Sequence, residues 1–181
     1  MVKSTRFYRE IICASFGALL FTSVLVNAAT KEHAVKAGLI YNITKFVVWP
    51  SDSRNNEKFN LCIMNSNELG GSLNALRGKL VSNKPLVLRR ELKDQVLNVC
   101  HIAFISGDDA QNVQEILQKL SHFPVLTISD HPDFINQGGM VGLVRDGSRL
   151  GFEINLKMVG ASKLHMGAQL LKLAKRVKGL K

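Results

Sequence analysis

The sequence contains few cysteines and none of the short motifs that mark the common enzyme classes. Its 181 residues include three cysteines and no Cys-x-x-Cys, so a thioredoxin-like oxidoreductase is not indicated. A strand-linked G-x-G-x-x-G, a P-loop and a G-x-S-x-G nucleophile elbow are missing as well. The five histidines form no i, i+4 pair and no H-E-x-x-H, which leaves zinc without support. We therefore expect a protein that is not an enzyme and holds no cofactor or metal.

Internal repeats and low-complexity segments are also missing, which favours one ordinary domain behind an N-terminal targeting segment. Three cations within the first nine residues precede an almost wholly apolar run over residues 11–26, and Ala28 and Ala29 follow. This is the pattern of a secretory signal peptide over residues 1–28, with cleavage expected after residue 28 or 29. A single domain would then occupy residues 30–181. An uncleaved N-terminal anchor is the alternative, because the apolar run approaches the ~20 residues that span a bilayer.

The chain is basic, with a formal net charge of +10. Removing residues 1–28 takes away three cations and one carboxylate, so the mature chain would keep a charge of +8. Such a charge suits nucleic acid, anionic lipid head groups or an acidic partner. Export argues against nucleic acid, while attraction to an anionic membrane surface stays open. The alternative is a lysine-rich surface without a specific partner.

The hydrophobic pattern of the mature chain predicts an α/β fold. Residues 35–50 carry a one-sided apolar arc, which includes Val35 and is interrupted only by Lys36. This arc predicts a covering helix that is ended by Pro50. Short apolar runs of strand length follow, and residues 110–121 have the spacing of an amphipathic helix.

The C-terminal third contains the clearest local signal. Asp146-Gly147 lies between two apolar runs and predicts a hairpin with strands at about 140–145 and 149–154. The remaining tail predicts two short helices, and the second is expected to continue through Val177. The predicted architecture is a Rossmann-like mixed, mostly parallel sheet with a C-terminal antiparallel hairpin and helices on both faces.

Two cysteines remain after the expected cleavage, Cys62 inside one predicted strand and Cys100 at the start of another. In an oxidising compartment an even pair is most simply a disulfide. Two buried free thiols are the alternative. A disulfide would serve as a structural bridge or as a redox-sensitive one, and the structural role is favoured.

Two groups of acidic residues could carry chemistry. Asp130, His131 and Asp133 follow a predicted strand and could form a metal or acid–base site, although a solvated turn is the favoured interpretation. Asp108 and Asp109 follow another strand, where a receiver domain keeps its phosphorylated aspartate. Export argues against that function, because it denies the site a cytoplasmic phosphodonor. An exported enzyme that uses Asp130 and His131 is one rival hypothesis.

An ordered set of segments resembles the YfiR family of small exported proteins, from about residue 32 to residue 177. The segments are KAGLIYNITKFVVWP, the two cysteine-bearing strands, PVLTISD, GGMVGLV, FEIN and LLKLAKRV. The resemblance implies a periplasmic repressor that binds the periplasmic sensor domain of an inner-membrane diguanylate cyclase, YfiN, and holds it inactive. It further implies that an outer-membrane lipoprotein, YfiB, sequesters the repressor, so that cyclic di-GMP rises and biofilm formation is favoured.

The resemblance also carries over individual positions. Cys62 and Cys100 match one family disulfide. Some members have a second pair near the hairpin, where this chain has Ile135 and Gly142. A second redox-sensitive bridge is therefore not expected here.

The partner surface implied by the resemblance involves the hairpin and the segment after it. Glu153 matches the acidic position of FEIN, and Val141 and Val159 are candidates by position alone. The alternatives are an ion pair with a nearby Arg or Lys for Glu153 and core packing for both valines. A homodimer is left open. The alternative function is a periplasmic small-molecule sensor, without a cyclase partner, that has a pocket at the edge of the sheet.

Overall fold

The computed structural model describes part of the chain, namely residues 23–50, 57–64, 69–90, 94–107 and 112–179. Most of the expected signal peptide and both Asp108 and Asp109 lie outside these residues, so the predictions made for them stay predictions. Within the described ranges, no helix is long and apolar enough to cross a membrane.

The first helix of the described residues, α1 (Ser23–Thr44), covers one face of the sheet. Ala37, Ile40 and Ile43 repeat at the spacing of one helical face, and each is at most 3% exposed. Val35, which was expected on this face, is 50% exposed. The apolar face is therefore narrower than the sequence pattern predicted.

The helix ends at Thr44, six residues before the predicted stop at Pro50. The Thr44 hydroxyl donates to the Tyr41 carbonyl at 2.7 Å, and the chain then turns. The next residues form a short strand, β1 (Val47–Val48). This strand pairs antiparallel with a second short strand from the tail, at His165–Met166, which the sequence pattern did not predict.

The main sheet contains eight strands in the described part of the chain. They are β2 (Phe59–Ile63), β3 (Leu80–Val81), β4 (Lys84–Arg89), β5 (Ile102–Ile105), β6 (Leu126–Ser129), β7 (Val141–Asp146), β8 (Arg149–Asn155) and, after β9 (His165–Met166), β10 (Arg176–Lys178). Their order is β10-β8-β7-β6-β5-β2-β4-β3. Five of the seven pairings are parallel, and β7–β8 and β3–β4 are antiparallel. The predicted mixed, mostly parallel α/β fold is confirmed.

Short helices connect these strands on both sides of the sheet. They are α2 (Leu69–Leu73), α3 (Val113–Leu120), α4 (Leu156–Ala161) and α5 (Ala168–Leu173), with 3₁₀ turns at Asn74–Leu76 and Asp94–Val99. The predicted hairpin is confirmed, with strands at 141–146 and 149–155. Gly147 adopts a φ of +59° in its turn, which glycine accepts without steric cost.

Successive residues of the central strands point to opposite faces and build two separate cores. On β5, Ile102 and Phe104 join the main core, which lies under α1. Ala103 instead joins a smaller core that contains Cys62 and Leu120 and lies under α3. This two-residue alternation is the ordinary consequence of strand geometry, and both faces are apolar because both are covered.

The C-terminal tail differs from its prediction. The last helix ends at Leu173 instead of continuing through Val177, and Arg176–Lys178 form β10, parallel to β8. The predicted apolar stripe was misleading because three residues are too few to show a strand period, and pairing with β8 determines their conformation. Arg176 and Lys178 therefore stand on an edge strand and not in a final helical turn.

Candidate functional site

A cleft of about 540 Å³ opens where the middle of α1, the loop after β6, the hairpin and β10 meet. Seven charged side chains of the described residues line it: Glu32, Lys36, Asp130, Asp133, Arg145, Glu153 and Arg176. Four are acids and three are bases, so the cleft carries charges of both signs at close range. We call this set the charged cleft.

Lys36 links α1 to the loop after β6. Its ammonium donates to Asp130 Oδ2 at 2.7 Å and lies 3.3 Å from Glu32 Oε1, with the Lys36 side chain 15% exposed. Burial acts to lower the pKa of Lys36, but hydrogen bonds and charges from Asp130 and Glu32 outweigh it and raise the pKa above its usual value. Lys36 is therefore a charged, largely covered tie between two elements.

Glu32 extends the same network to the hairpin through Arg145, whose guanidinium donates to the Glu32 carboxylate. Burial acts to raise the pKa of Glu32, but hydrogen bonds and charges from Lys36 and Arg145 outweigh it and lower the pKa. The middle of α1 is thereby held against the hairpin by charge.

Glu153 closes the other side of the cleft. On β8 it lies beside Arg176 of β10 and pairs with it through two hydrogen bonds, Nε to Oε1 at 3.0 Å and a terminal guanidinium nitrogen to Oε2 at 2.7 Å. The hydrogen bond to Glu153 raises the pKa of Arg176. The ion pair weighed as the alternative for Glu153 is thus present, and the carboxylate remains 20% exposed at the cleft.

The group Asp130, His131 and Asp133 forms a turn whose polar groups bind their own surroundings. Asp130 Oδ1 accepts the Gly107 N–H at 2.7 Å, while Oδ2 binds Lys36. The His131 N–H donates to Ser129 Oγ at 2.9 Å, and Asp133 adopts a φ of +61°. These contacts are those of a hydrogen-bonded turn, but Asp130 is largely covered by its pairing with Lys36 and is not solvated as the sequence interpretation expected.

The two valines expected at the partner surface are in the core. Val141 on β7 and Val159 on α4 are both 0% exposed and belong to the main core. The core-packing alternative describes their position, since neither side chain can touch a partner while the fold is intact. They can affect a partner only through the surface residues that they support.

Cys62 and Cys100 are joined by a disulfide with a Cα–Cα distance of 5.8 Å. Cys62 lies on β2, and Cys100 lies two residues before the neighbouring strand β5. Both are 0% exposed and pack with Leu97, Leu120 and other apolar residues in the smaller core. The bridge thus ties two central strands in a place that solvent does not reach.

The positions that match the second family pair are also adjacent. A Cβ added to Gly142 would lie 3.5 Å from Cγ2 of Ile135. This chain fills the site with an isoleucine against a glycine, so the contact is apolar and carries no thiol. The loop before it is tightly packed as well, because a side chain at Gly139 would meet the Phe134 ring at 2.1 Å.

Sequence reasoning missed Glu32, Lys36 and Arg145 as members of the cleft. A signal existed for Lys36, because it interrupts the apolar face of α1. A cation on a buried face needs an anionic partner, and an acid from a loop was the natural candidate. Arg145 and Glu32 carried no such signal, because their pairing depends on how the hairpin meets α1 across 113 residues of sequence.

The fold and the cleft together define a small disulfide-bonded α/β domain with a charged concave surface whose side chains are mostly paired. The chain belongs to the YfiR/HmsC-like family, whose sequence model matches residues 33–175. That family is regulatory and not catalytic.

A solved structure from Vibrio cholerae O1 biovar El Tor strain N16961, titled a conserved domain protein, has a similar fold. The TM-score is 0.57 at 12% sequence identity, over 81% of this chain and 60% of the Vibrio chain. This chain therefore spans about 60% of the length of the Vibrio chain. At this identity, the likeness shows the fold alone.

Proposed function

We propose that the mature chain is a periplasmic repressor that binds the periplasmic sensor domain of an inner-membrane diguanylate cyclase and holds the cyclase inactive. Cleavage after residue 28 or 29 releases it into the periplasm. An outer-membrane lipoprotein of the YfiB type removes it from the cyclase. Family membership is the observation that carries this proposal, because the family is one of regulators.

The charged cleft is the docking surface in this proposal. Glu153 is held by Arg176 in a fixed orientation and remains partly exposed, so it can accept a further donor. Exposed ion pairs contribute little to folding, usually less than about 1 kcal/mol. A partner can therefore exchange one member of such a pair for a group of its own at small cost to the fold.

Complementary charge favours specificity and fast association more than raw affinity. A cleft with four acids and three bases at fixed positions suits a partner surface with the inverse pattern. The buried Val141 and Val159 support this surface from beneath, and their truncation would change its shape without removing a contact.

Inhibition then needs no catalysis. The repressor binds the inactive conformation of the cyclase more tightly than the active one, and its effect is limited to that difference in affinity. A ligand or protein that occupies the charged cleft would release the cyclase by competition.

A chromosomal deletion with a cyclic di-GMP measurement tests the proposal. Deleting the gene in the native organism should raise cellular cyclic di-GMP, and expression of the wild-type chain should restore the low level. A second deletion, of the cyclase gene, should abolish the rise. Unchanged cyclic di-GMP in the first deletion strain would refute the repressor function.

Variants of the chain expressed in the deletion strain test which surface binds the cyclase. Glu153→Arg should fail to restore the low level, while Glu57→Arg should restore it. Glu57 is a matched control, because it is an exposed carboxylate before β2 that receives the same charge reversal and does not line the charged cleft. Equal restoration by both variants would exclude the cleft as the docking surface.

A further inference from the structure

A second concave surface lies away from the charged cleft, on the α3 side of the sheet. It is a groove of about 640 Å³ between α3, the loop before β7 and α4. Pockets of a few hundred to a thousand Å³ are the ordinary size for small-molecule sites. We call it the α3–α4 groove.

The lining of this groove is apolar in its body and amide-rich at its rim. Four large apolar side chains lie in it: Leu117, Leu120, Met140 and Met158. Three glutamines, Gln114, Gln118 and Gln137, stand among the polar lining residues. Methionine adapts its shape readily, so the walls can fit ligands of irregular outline.

Charge is scarce in the α3–α4 groove. Glu115 is the one charged residue among its described lining residues, and Lys119 binds its carboxylate at 2.7 Å. An anionic ligand would find no cation in the lining and would lie near a carboxylate. The groove is therefore unlike the charged cleft, and it suits an uncharged molecule.

Two buried hydroxyls give the groove hydrogen-bond donors. Thr127 is 2% exposed and Ser162 is 7% exposed, and both line the groove. Thr127 Oγ1 accepts the Met140 N–H at 3.0 Å, which occupies one of its acceptor positions. Neither hydroxyl donates its own proton to a group in the described part of the chain. Buried hydroxyl protons normally find an acceptor, so these two are suited to a ligand oxygen.

We propose that the α3–α4 groove binds an uncharged, largely apolar small molecule that carries a carbonyl or ether oxygen. The apolar body packs against the leucines and methionines, and the oxygen accepts from Thr127 or Ser162. This site is separate from the charged cleft and does not depend on the proposed partner. Two of its lining residues are nevertheless next in sequence to residues that support the charged cleft. Met140 and Met158 directly precede the buried Val141 and Val159.

Prodan is a suitable probe, because it is a neutral apolar fluorophore with one ketone oxygen and an emission that shifts to the blue in apolar sites. Titration of the disulfide-intact mature chain with prodan should give a saturable blue shift. Ala161→Trp places an indole in the groove and should weaken binding about tenfold or more by steric exclusion. Ser162→Ala removes one donor and should weaken binding about three- to tenfold.

Ala168→Trp is the matched control, since Ala168 is an exposed helix residue outside the groove lining, and it should bind prodan as the wild type does. Far-ultraviolet circular dichroism confirms that each variant is folded. Wild-type protein without a saturable shift would overturn the proposal, and so would unchanged affinity in Ala161→Trp together with Ser162→Ala. Glu153→Arg should keep full prodan binding, which separates this site from the docking surface.

Discussion

The disulfide region and the charged cleft are held together by opposite means. Around Cys62 and Cys100, a covalent bond lies in a dry core on the α3 side of the sheet. At the cleft, α1, the loop after β6, the hairpin and β10 meet through ion pairs that are partly exposed. The first region resists changes of pH and salt, while the second responds to both.

Stability and recognition therefore depend on different parts of the same sheet. β2 and β5 form the rigid centre, and the cleft lies toward the hairpin end of the strand order. Partner exchange at the cleft can therefore leave the centre intact. Loss of the disulfide would instead loosen the support on which the cleft is built.

The largest expected effect belongs to the disulfide. The double variant Cys62→Ala, Cys100→Ala opens a loop with a sequence separation of 38, and the chain-entropy model gives a loss of about 4 kcal/mol in unfolding free energy. Urea unfolding of oxidised wild type and variant measures it. A loss below about 1 kcal/mol would mean that packing alone holds β2 and β5 together.

Lys36→Met should have an intermediate effect. It leaves the Asp130 carboxylate largely covered, with the Gly107 N–H as its remaining hydrogen-bond partner among the contacts described above, and should cost about 1–3 kcal/mol of unfolding free energy. Lys119→Met, in the exposed pair on α3, is the control and should cost less than about 0.5 kcal/mol. Equal losses in the two variants would contradict a structural role for the Lys36 network.

The smallest effect is the pH dependence at Glu32. Because its pKa is lowered in the folded chain, the pairing of Glu32 stabilises the fold above the unfolded pKa and is lost as pH falls through the folded pKa. Wild type should therefore exceed Glu32→Gln in unfolding free energy by less than about 1 kcal/mol at pH 7. The difference should shrink as pH falls below the ordinary pKa of glutamate, about 4.3, as measured by urea unfolding at a series of pH values. If the difference in unfolding free energy grew as pH fell, folding would raise the pKa of Glu32 and not lower it.

Most of the central fold could be predicted from the sequence, because the buried strands are continuous apolar runs and Asp146-Gly147 marks the hairpin. The pairing of β1 with β9 could not, because each strand has two residues and the partners lie more than a hundred residues apart. The strand β10 could not be predicted either, because the sequence pattern of its three residues is also that of the end of an amphipathic helix. In both places, tertiary pairing outweighs local pattern.

The candidate site was only partly predictable, for a different physical reason. Glu153 was reached through family resemblance, whereas Lys36 could have been reached from its position on an apolar face. Val141 and Val159 were candidates by position alone, and both are buried. Position in the sequence therefore does not distinguish a residue on a surface from a core residue beneath that surface. The cleft itself exists only because four separate elements converge.

A charge swap across Glu153 and Arg176 tests whether the charged cleft is the surface that binds the cyclase. Isothermal titration would measure the affinity of the mature chain for the periplasmic domain of the native cyclase, with the Glu153→Arg, Arg176→Glu double variant beside wild type. The swap keeps opposite charges adjacent, so unfolding free energy should change by less than about 1 kcal/mol. Affinity should fall about tenfold or more, because the partner meets reversed charges. Wild-type affinity in the swapped variant would contradict it.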